Sequence, residues 1–135
     1  FNAAVQGRNT ESEVIAALEM IAARAADFDC AVVIRGGGAR LDLAAFDGLA
    51  LCRSVATMPL PVFSGIGHDV DDTVLDHVAH TSLKTPTAVA DFLLQHNLLF
   101  ENKVLQLASQ LQTASEYHLK IKGLHQFFDV LEADE

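Results

Sequence analysis

The sequence predicts an α/β protein with a small, open and mostly parallel sheet flanked by helices, followed by a long C-terminal helix. Residues 30–34 form an uninterrupted apolar run, which is typical of a strand that is covered on both faces. Helical patterns precede this run and separate it from a second short apolar run at residues 61–64. Neither Gly nor Pro occurs between residues 87 and 120, which indicates one long helix.

The first predicted unit is a strand, a helix and a strand. Residues 5–7 read as the end of a strand whose preceding elements are absent, so we expect the chain to be a fragment of a longer polypeptide. The spacing of Thr10 and Glu13 predicts a capping box at a helix start. The apolar residues that follow at helical spacing extend this helix to about Ala26. The strand at residues 30–34 then completes a βαβ unit.

The middle of the chain predicts short elements. Residues 41–46 and 49–56 indicate one short and one medium helix, which end before the prolines at 59 and 61. A short strand is expected around residues 62–63. Asp71 or Asp72 is expected to cap a helix from Thr73 to about Val78.

The long helix has a clear predicted start. Thr85 is a typical cap, and Pro86 suits the first helical position because its missing amide hydrogen costs nothing there. Gly123 is expected to end the helix, leaving a short amphipathic tail. We therefore predict an α/β unit over residues 1–84 and a helical extension for packing or assembly over 85–135. The helical extension carries an apolar stripe that comprises Phe100, Val104, Leu107, Leu111 and Ala114. Such a stripe calls for a helical partner in another subunit or a second copy.

Composition limits the classes of function. The formal charge of −9 argues against coating of nucleic acid by bulk electrostatics, so any polyanion must be bound locally. Cys30 and Cys52 lie in apolar surroundings without metal-site or disulfide spacing, which favours two buried, reduced thiols. No apolar run is long enough to cross a bilayer, and the start lacks a charged leader. These features predict a cytoplasmic protein without a membrane partner.

A glycine-rich turn follows the first apolar run. Arg35 is followed by Gly36, Gly37 and Gly38, and three glycines let backbone amides approach an anion closely. The planar guanidinium of Arg35 can bond two phosphate oxygens at once. The alternative is a tight turn with Arg35 in a surface ion pair. The motif has neither the Lys-Ser/Thr ending of a P-loop nor the spacing of a dinucleotide fingerprint.

A second glycine loop carries an imidazole beside carboxylates. His68 can titrate near neutral pH, while Asp69 and Asp71 could orient it or bracket a divalent ion or a water molecule. The alternative is a solvated loop with capping carboxylates. Because loops at the carboxyl ends of parallel strands share one edge, we expect the Arg35 and His68 loops to meet.

Other polar residues carry weaker signals. His77 and His80 lie one helical turn apart and could bind zinc, but no third ligand is evident. Lys84 could add to anion attraction at the helix start beside Thr85, where the helix dipole favours negative charge; a solvated lysine is the alternative. His96, His118 and His125 read as surface or seam residues of the long helix.

Five ordered motifs resemble the large subunit of bacterial exonuclease VII over nearly the whole chain. They are Arg35-Gly36-Gly37-Gly38, Asp42-Leu43 with Phe46-Asp47, Pro59-Leu60-Pro61-Val62, Gly65-Ile66-Gly67-His68-Asp69-Val70-Asp71, and Lys84-Thr85-Pro86-Thr87-Ala88. The resemblance implies hydrolysis of single-stranded DNA to short oligonucleotides, and binding of small subunits through a long helical region.

By the same resemblance, Arg35 matches the arginine of the family's glycine loop, His68 its catalytic histidine, and Asp71 the second acid of its signature. Asp69 replaces the family's Glu, and Leu41 and Ala44 replace its usual Glu and Trp. Another essential aspartate and an OB-type DNA-binding domain lie upstream in the family, so the fragment alone could be inactive.

The predicted site follows from both lines of reasoning. Phosphodiester hydrolysis needs neutralised phosphoryl oxygens, an in-line water and a proton for the leaving oxygen. Arg35, Gly36–Gly38 and Lys84 would bind phosphate, while His68 moves the proton and Asp71 orients it. Asp42 and Thr85 are candidates for supporting roles. Asp69 and Asp71 could hold a metal such as Mg²⁺ or only orient the histidine, and the sequence leaves this open.

Two other functions compete with the nuclease. One is an anion-binding and helical assembly module without catalysis of its own, in which the apolar stripe is the functional part. The other is a nucleotide-sugar or cofactor enzyme, for which the sequence has no recognisable fingerprint.

Overall fold

The structure is a computed structural model that describes residues 1–36, 40–67 and 72–132, with side chains at all of these except 40–42 and 126–132. The chain divides into two compact units, Phe1–Leu93 and Leu94–Glu135. The predicted division of roles between residues 1–84 and 85–135 stays a prediction.

The first unit alternates helices and short strands. In chain order the elements are α1 (Thr10–Ala22), a short 3-10 helix (Ala25–Asp27), β1 (Ala31–Ile34), a second 3-10 helix (Arg40–Asp47), α2 (Leu49–Ala56), β2 (Val62–Gly65), α3 (Val74–Val78), β3 (Thr81–Ser82) and α4, which runs from Pro86 to Glu132. The predicted α/β class with a long C-terminal helix is confirmed.

The sheet is parallel throughout its described strands. Its order is β1-β2-β3, with Ile34 opposite Gly65 and Ser64 opposite Ser82. All three strands therefore end at one edge, which we call the carboxyl edge. Residues 5–7 form bends, so the strand expected there is not observed.

Burial differs between the two longer strands. β2 is buried along its whole length, as expected of a central strand. In β1, Ala31 and Val33 are buried, whereas Val32 and Ile34 are 38% and 47% exposed. The prediction that the first strand is covered on both faces is therefore wrong, since only the face of Ala31 and Val33 packs into the core.

The core of the first unit joins α1, α2 and α3 to the buried face of the sheet. Its side chains are Val14, Leu18, Ala31, Val33, Phe46, Leu51, Cys52, Val55, Val62, Ile66 and Leu75. The thiol of Cys52 is buried and donates to the carbonyl of Phe46, at 3.5 Å. Cys52 and Cys30 are free thiols, but Cys30 is only half-buried.

The start of α1 differs from the predicted capping box. Asn9, in a near-helical conformation, is the N-cap, and its side chain makes no capping hydrogen bond. The hydroxyl of Thr10 instead donates to the carbonyl of Gly7, at 3.0 Å. The carboxylate of Glu13 accepts from the amide of Ala4, at 2.8 Å. The helix begins at Thr10, so this residue lies inside the first turn and cannot cap it.

Two predicted helix ends are also displaced. α1 ends at Ala22 rather than near Ala26, and Ala25–Asp27 form the short 3-10 helix. Gly123 does not end α4, which continues to Glu132. A glycine inside a helix costs only about 1 kcal/mol relative to alanine, which the flanking helical residues can offset.

The second unit consists of the C-terminal part of α4, and its apolar side chains are largely exposed. Those that exceed 45% exposure are Leu94, Leu98, Leu99, Phe100, Val104, Leu105, Leu107, Leu111, Tyr117, Leu119 and Leu124. This set contains Phe100, Val104, Leu107 and Leu111 of the predicted apolar stripe. Among the described residues, no helix combines the length and apolarity that a membrane crossing requires.

Candidate active site

The two predicted loops leave the sheet side by side. The backbone amide of Arg35, directly after β1, donates to the carbonyl of Gly65 at the end of β2, at 3.3 Å. Ile34 and Gly65 are paired in the parallel register. The chain therefore passes from Arg35 to Gly36, and from Gly65 to Ile66, at the same edge of the sheet. The strand ends are adjacent, whereas the expected meeting of the Arg35 and His68 loops stays a prediction, because residues 37–39 and 68–71 lie outside the described residues.

Arg35 is buried rather than on the surface. The residue is only 5% exposed, which argues against the alternative of a surface ion pair. A buried guanidinium is costly unless polar partners compensate for its lost hydration, so this arginine is held in a defined environment. A Cβ atom added at Gly36 would meet no atom of the described residues within 4 Å.

The start of α4 lies against the end of β2. A Cβ atom added at Gly65 would lie 2.6 Å from Cγ2 of Val89 and 2.9 Å from the carbonyl oxygen of Thr85. Only glycine permits this approach of the two backbones. The hydroxyl of Thr85 accepts from the amide of Ala88, at 3.1 Å, which confirms the predicted cap. The N-terminus of α4 therefore lies at the carboxyl edge.

Lys84 lies between β3 and α4 at this edge. Its φ angle is 65°, a left-handed conformation that few residues other than glycine adopt. Its ammonium group forms an ion pair with Asp72, and both side chains are partly exposed. Either Asp71 or Asp72 was expected to cap α3, but Thr73 holds that position. The role of Asp72 in the described structure is thus to neutralise Lys84.

The described structure brings part of the predicted set together. Arg35, Gly36, Lys84 and Thr85 all lie at the carboxyl edge of the sheet. Asp42 lies in the second 3-10 helix, and its side chain is outside the described part. The other predicted residues, which also lie outside the described residues, are Gly37, Gly38, His68, Asp69 and Asp71.

A buried polar cluster, which the sequence analysis missed, lies beneath this edge. Asp76 of α3 is 7% exposed, and its Oδ1 accepts from the hydroxyls of Ser64 and Ser82, the latter at 2.8 Å. Its Oδ2 accepts from the amide and the hydroxyl of Thr73, at 3.1 and 2.9 Å. The Thr73 hydroxyl also accepts from the Asp76 amide, which completes a capping box. We call these four residues the Asp76 cluster.

The cluster favours the ionised carboxylate. Burial raises the pKa of Asp76, but the hydrogen bonds from Ser64, Ser82 and Thr73 lower it by a larger amount. The net result is a pKa below the usual value. The sequence did contain a signal for the cluster, because Thr73 and Asp76 have capping-box spacing.

The two histidines that could have bound zinc do not lie on one turn of a helix. α3 ends at Val78, so His77 lies in the helix and His80 beyond it. The amide of His80 instead donates to the carbonyl of Val62, and its ring packs edge-on against Phe63, with centroids 5.7 Å apart. Within the described ranges, no group of three or more His, Cys, Asp or Glu side chains is placed to hold a metal.

Comparison with known proteins decides the family. The family model described as "Exonuclease VII, large subunit" matches residues 1–131. The chain belongs to this family. The resemblance seen in the five sequence motifs is therefore confirmed.

Individual relatives agree with the family match. The chain is 36% identical over 119 residues to the exodeoxyribonuclease 7 large subunit of Koribacter versatilis, a match that covers 88% of this chain and 26% of the relative. The large subunit of Lactobacillus johnsonii is 33% identical over 131 residues, covering 97% of this chain and 28% of the relative. That of a Shewanella species is 38% identical over 120 residues, covering 86% and 26%. The chain thus spans about a quarter of the length of these relatives.

Proposed function

We propose that this chain is part of the catalytic region of an exodeoxyribonuclease VII large subunit, which hydrolyses phosphodiester bonds of single-stranded DNA. The observation that carries the proposal is the hydrogen bond from the Arg35 amide to the Gly65 carbonyl. It joins the ends of two parallel strands, one leading into the glycine turn and the other into the segment with His68. Family membership supplies the reaction class, since the matched relatives are named exodeoxyribonucleases.

Each group has a proposed task. Arg35 and the amides of Gly36–Gly38 neutralise the non-bridging phosphoryl oxygens, whose charge rises in the transition state. His68 supplies or removes a proton, and Asp71 orients its ring. If Mg²⁺ takes part, Asp69 and Asp71 are its proposed ligands, because carboxylate oxygens are the donors that this ion prefers.

Phosphate binding has to be local on this protein. The net charge of −9 repels a polyanion at long range, so the cations at the carboxyl edge must outweigh the surrounding acids. Lys84 and the N-terminus of α4 beside Thr85 are the proposed secondary contacts for the DNA backbone. Lys84 can serve only when it exchanges its ion pair with Asp72 for one with phosphate.

The test uses the full-length large subunit in complex with its small subunit and end-labelled single-stranded DNA. Arg35→Ala and His68→Ala are each expected to lower the rate of hydrolysis by about 10²-fold or more, as for removal of one transition-state donor. Arg53→Ala is the matched control, because Arg53 is an exposed arginine of α2. Near wild-type hydrolysis by either test variant would show that the assignment is wrong.

Because Arg35 is buried, its variant also needs a check of folding. Thermal unfolding and assembly with the small subunit should be measured for Arg35→Ala and for Arg35→Lys. The lysine variant keeps the charge but loses the planar fork, so it is expected to remain folded and to hydrolyse DNA more slowly than the wild type.

A second candidate function is an anion-binding and helical assembly module. The exposed apolar stripe of α4 favours it, because such a stripe normally packs against another helix. Titration with a single-stranded oligonucleotide separates the two. Salt-sensitive binding that is lost in Arg35→Ala favours the nuclease, whereas no binding together with concentration-dependent oligomers favours the assembly module. In either case we propose that the stripe receives small subunits or a second copy of the chain.

A further inference from the structure

The carboxylate of Asp76 is fully occupied by hydrogen bonds. An ionised carboxylate offers about four lone-pair sites. The four donors are the hydroxyls of Ser64 and Ser82 on Oδ1, and the amide and hydroxyl of Thr73 on Oδ2. With these sites filled and the residue 7% exposed, Asp76 has no free capacity to bind a metal or to accept a proton from substrate. Its contribution must be to hold its donors in place.

Two of those donors bracket the segment with the predicted catalytic residues. Ser64 lies in β2, immediately before the chain leaves the sheet at Gly65. Thr73 is the N-cap of α3, at which the chain becomes regular again. Residues 66–72, which include His68 and Asp71, connect these two points. Both ends of the connection are therefore bonded to the same side chain.

The third donor residue, Ser82, extends this arrangement toward Lys84 at the carboxyl edge. Ser82 lies in β3, two residues before Lys84. The amide of Leu83, between them, donates to the carbonyl of Ser64, at 2.9 Å. Asp76 thus also ties the end of β3 to the end of β2.

We propose that Asp76 is a positioning residue that fixes the distance between the two ends of the segment 66–72, and through it the placement of His68 and Asp71 against the phosphate. This proposal rests on the proposed nuclease function. The substrate never touches Asp76, because its four bonds are internal and its surface is covered.

The test compares three variants of the full-length large subunit in complex with its small subunit. Asp76→Ala removes all four bonds. Asp76→Asn has nearly the same shape: its oxygen can accept from Thr73, and its amide can donate to the Ser64 and Ser82 hydroxyls, which can reverse their roles. Thr10→Val is the matched control. Thr10 is fully buried and its hydroxyl donates to the carbonyl of Gly7, so the variant loses a hydrogen bond that does not involve the Asp76 cluster.

The expected result is a split between kinetic constants. In Asp76→Ala, kcat for single-stranded DNA should fall by about 10²-fold, because a displacement of about 1 Å at the reacting groups has that effect. KM should change much less than kcat, since Arg35 is held by β1 and only the secondary contact of Lys84 depends on the cluster. Asp76→Asn should restore most of kcat. Thr10→Val should keep kcat even though its melting temperature falls.

Three results would overturn the proposal. One is a folded Asp76→Ala variant with the wild-type kcat. Another is a loss of kcat in Asp76→Ala and Thr10→Val that simply follows the loss of melting temperature. The third is an Asp76→Asn variant as slow as Asp76→Ala, because the negative charge and not the set of hydrogen bonds would then be the essential feature.

Amide hydrogen exchange separates this proposal from the proposed function. If the wild-type complex did not cleave DNA, the nuclease assignment would fail, but the anchoring of the segment would still be measurable. Asp76→Ala should speed exchange in peptides that cover residues 62–67 and 72–78, relative to peptides of α1, and Thr10→Val should not. Equal exchange in wild type and Asp76→Ala at both ends would refute the positioning role.

Discussion

Substitution of Gly65 by alanine probes the contact that places α4 at the carboxyl edge. The new Cβ atom would lie 2.6 Å from Cγ2 of Val89, 2.9 Å from the carbonyl oxygen of Thr85 and 3.0 Å from its carbonyl carbon. Val89 is 2% exposed and, as a β-branched residue in a helix, has essentially one rotamer. The Thr85 carbonyl accepts from the Val89 amide, at 3.1 Å, so it cannot move without opening the first turn of α4.

The size of the effect follows from these contacts. Overpacking typically costs about 1–3 kcal/mol, and the upper part of this range applies because two of the three atoms belong to the backbone. Replacing glycine also removes conformational freedom from the unfolded chain, which returns about 0.4–1 kcal/mol. The net loss in the free energy of unfolding is about 2 kcal/mol. For a unit of this size, the melting temperature should fall by about 8–16 °C.

The assay has to report on the first unit. The chain has no Trp and its single Tyr, Tyr117, lies in the second unit, while the long helix dominates the circular dichroism signal. Urea titration followed by hydrogen exchange in peptides of α2 avoids both problems. Gly36→Ala is the control for folding, because its Cβ atom would meet nothing within 4 Å. Equal stability of Gly65→Ala and wild type, or equal destabilisation by both variants, would refute the reasoning.

Three further predictions concern helix content, acid stability and DNA binding. Gly123→Ala should stabilise α4 by about 0.5–1 kcal/mol, since the new Cβ atom meets nothing and alanine is the better helix former; a loss of ellipticity at 222 nm would contradict this. Because the pKa of Asp76 is lowered on folding, its stabilising effect is present above the unfolded pKa of about 3.9 and is lost as the pH falls through the lower folded pKa. Asp76→Asn should therefore show a shallower loss of urea stability between about pH 5 and pH 2 than the wild type, and identical acid profiles would rule this out. Asp72→Asn should free Lys84 and tighten binding of a single-stranded oligonucleotide in fluorescence anisotropy, with the slope of log K against log salt more negative by up to about 0.7; unchanged affinity would argue against Lys84 as a phosphate contact.

The sequence predicted the elements that depend on local patterns. The apolar runs identified β1 and β2, and Thr85 with Pro86 identified the start of α4. β3 could not be found in this way, because it consists only of Thr81 and Ser82. These two polar residues are a strand only because β2 supplies the pairing partners, and that is a tertiary contact.

Two threonines with the same spacing show why caps are harder to predict. Thr10 precedes Glu13 and Thr73 precedes Asp76 by three positions, yet only the second pair forms a capping box. A cap needs an extended backbone, which Thr73 has with a ψ angle of 159°. At α1 the helical turn begins one residue earlier, so Thr10 is already helical. Neither fact is visible in the pattern of residue types.

The site was predictable only where one short stretch carries the chemistry. The glycines that follow Arg35 marked it as a candidate phosphate contact. Parallel topology then predicted that it lies near the end of β2. The Asp76 cluster instead draws Ser64, Thr73 and Ser82 from three separate elements. Such convergence depends on the register between β2 and β3, which no local pattern encodes.

The left-handed backbone at Lys84 has a consequence for tolerated variation. If only folding were selected in a library randomised at this position, glycine and asparagine should dominate, because both accept a φ angle of 65° at little cost. If Lys84 contacts phosphate as proposed, selection for hydrolysis of single-stranded DNA would add a second demand and shift the winners toward lysine and arginine. The difference between the two enrichment profiles would measure the backbone free energy that the protein loses by keeping a positive charge at position 84.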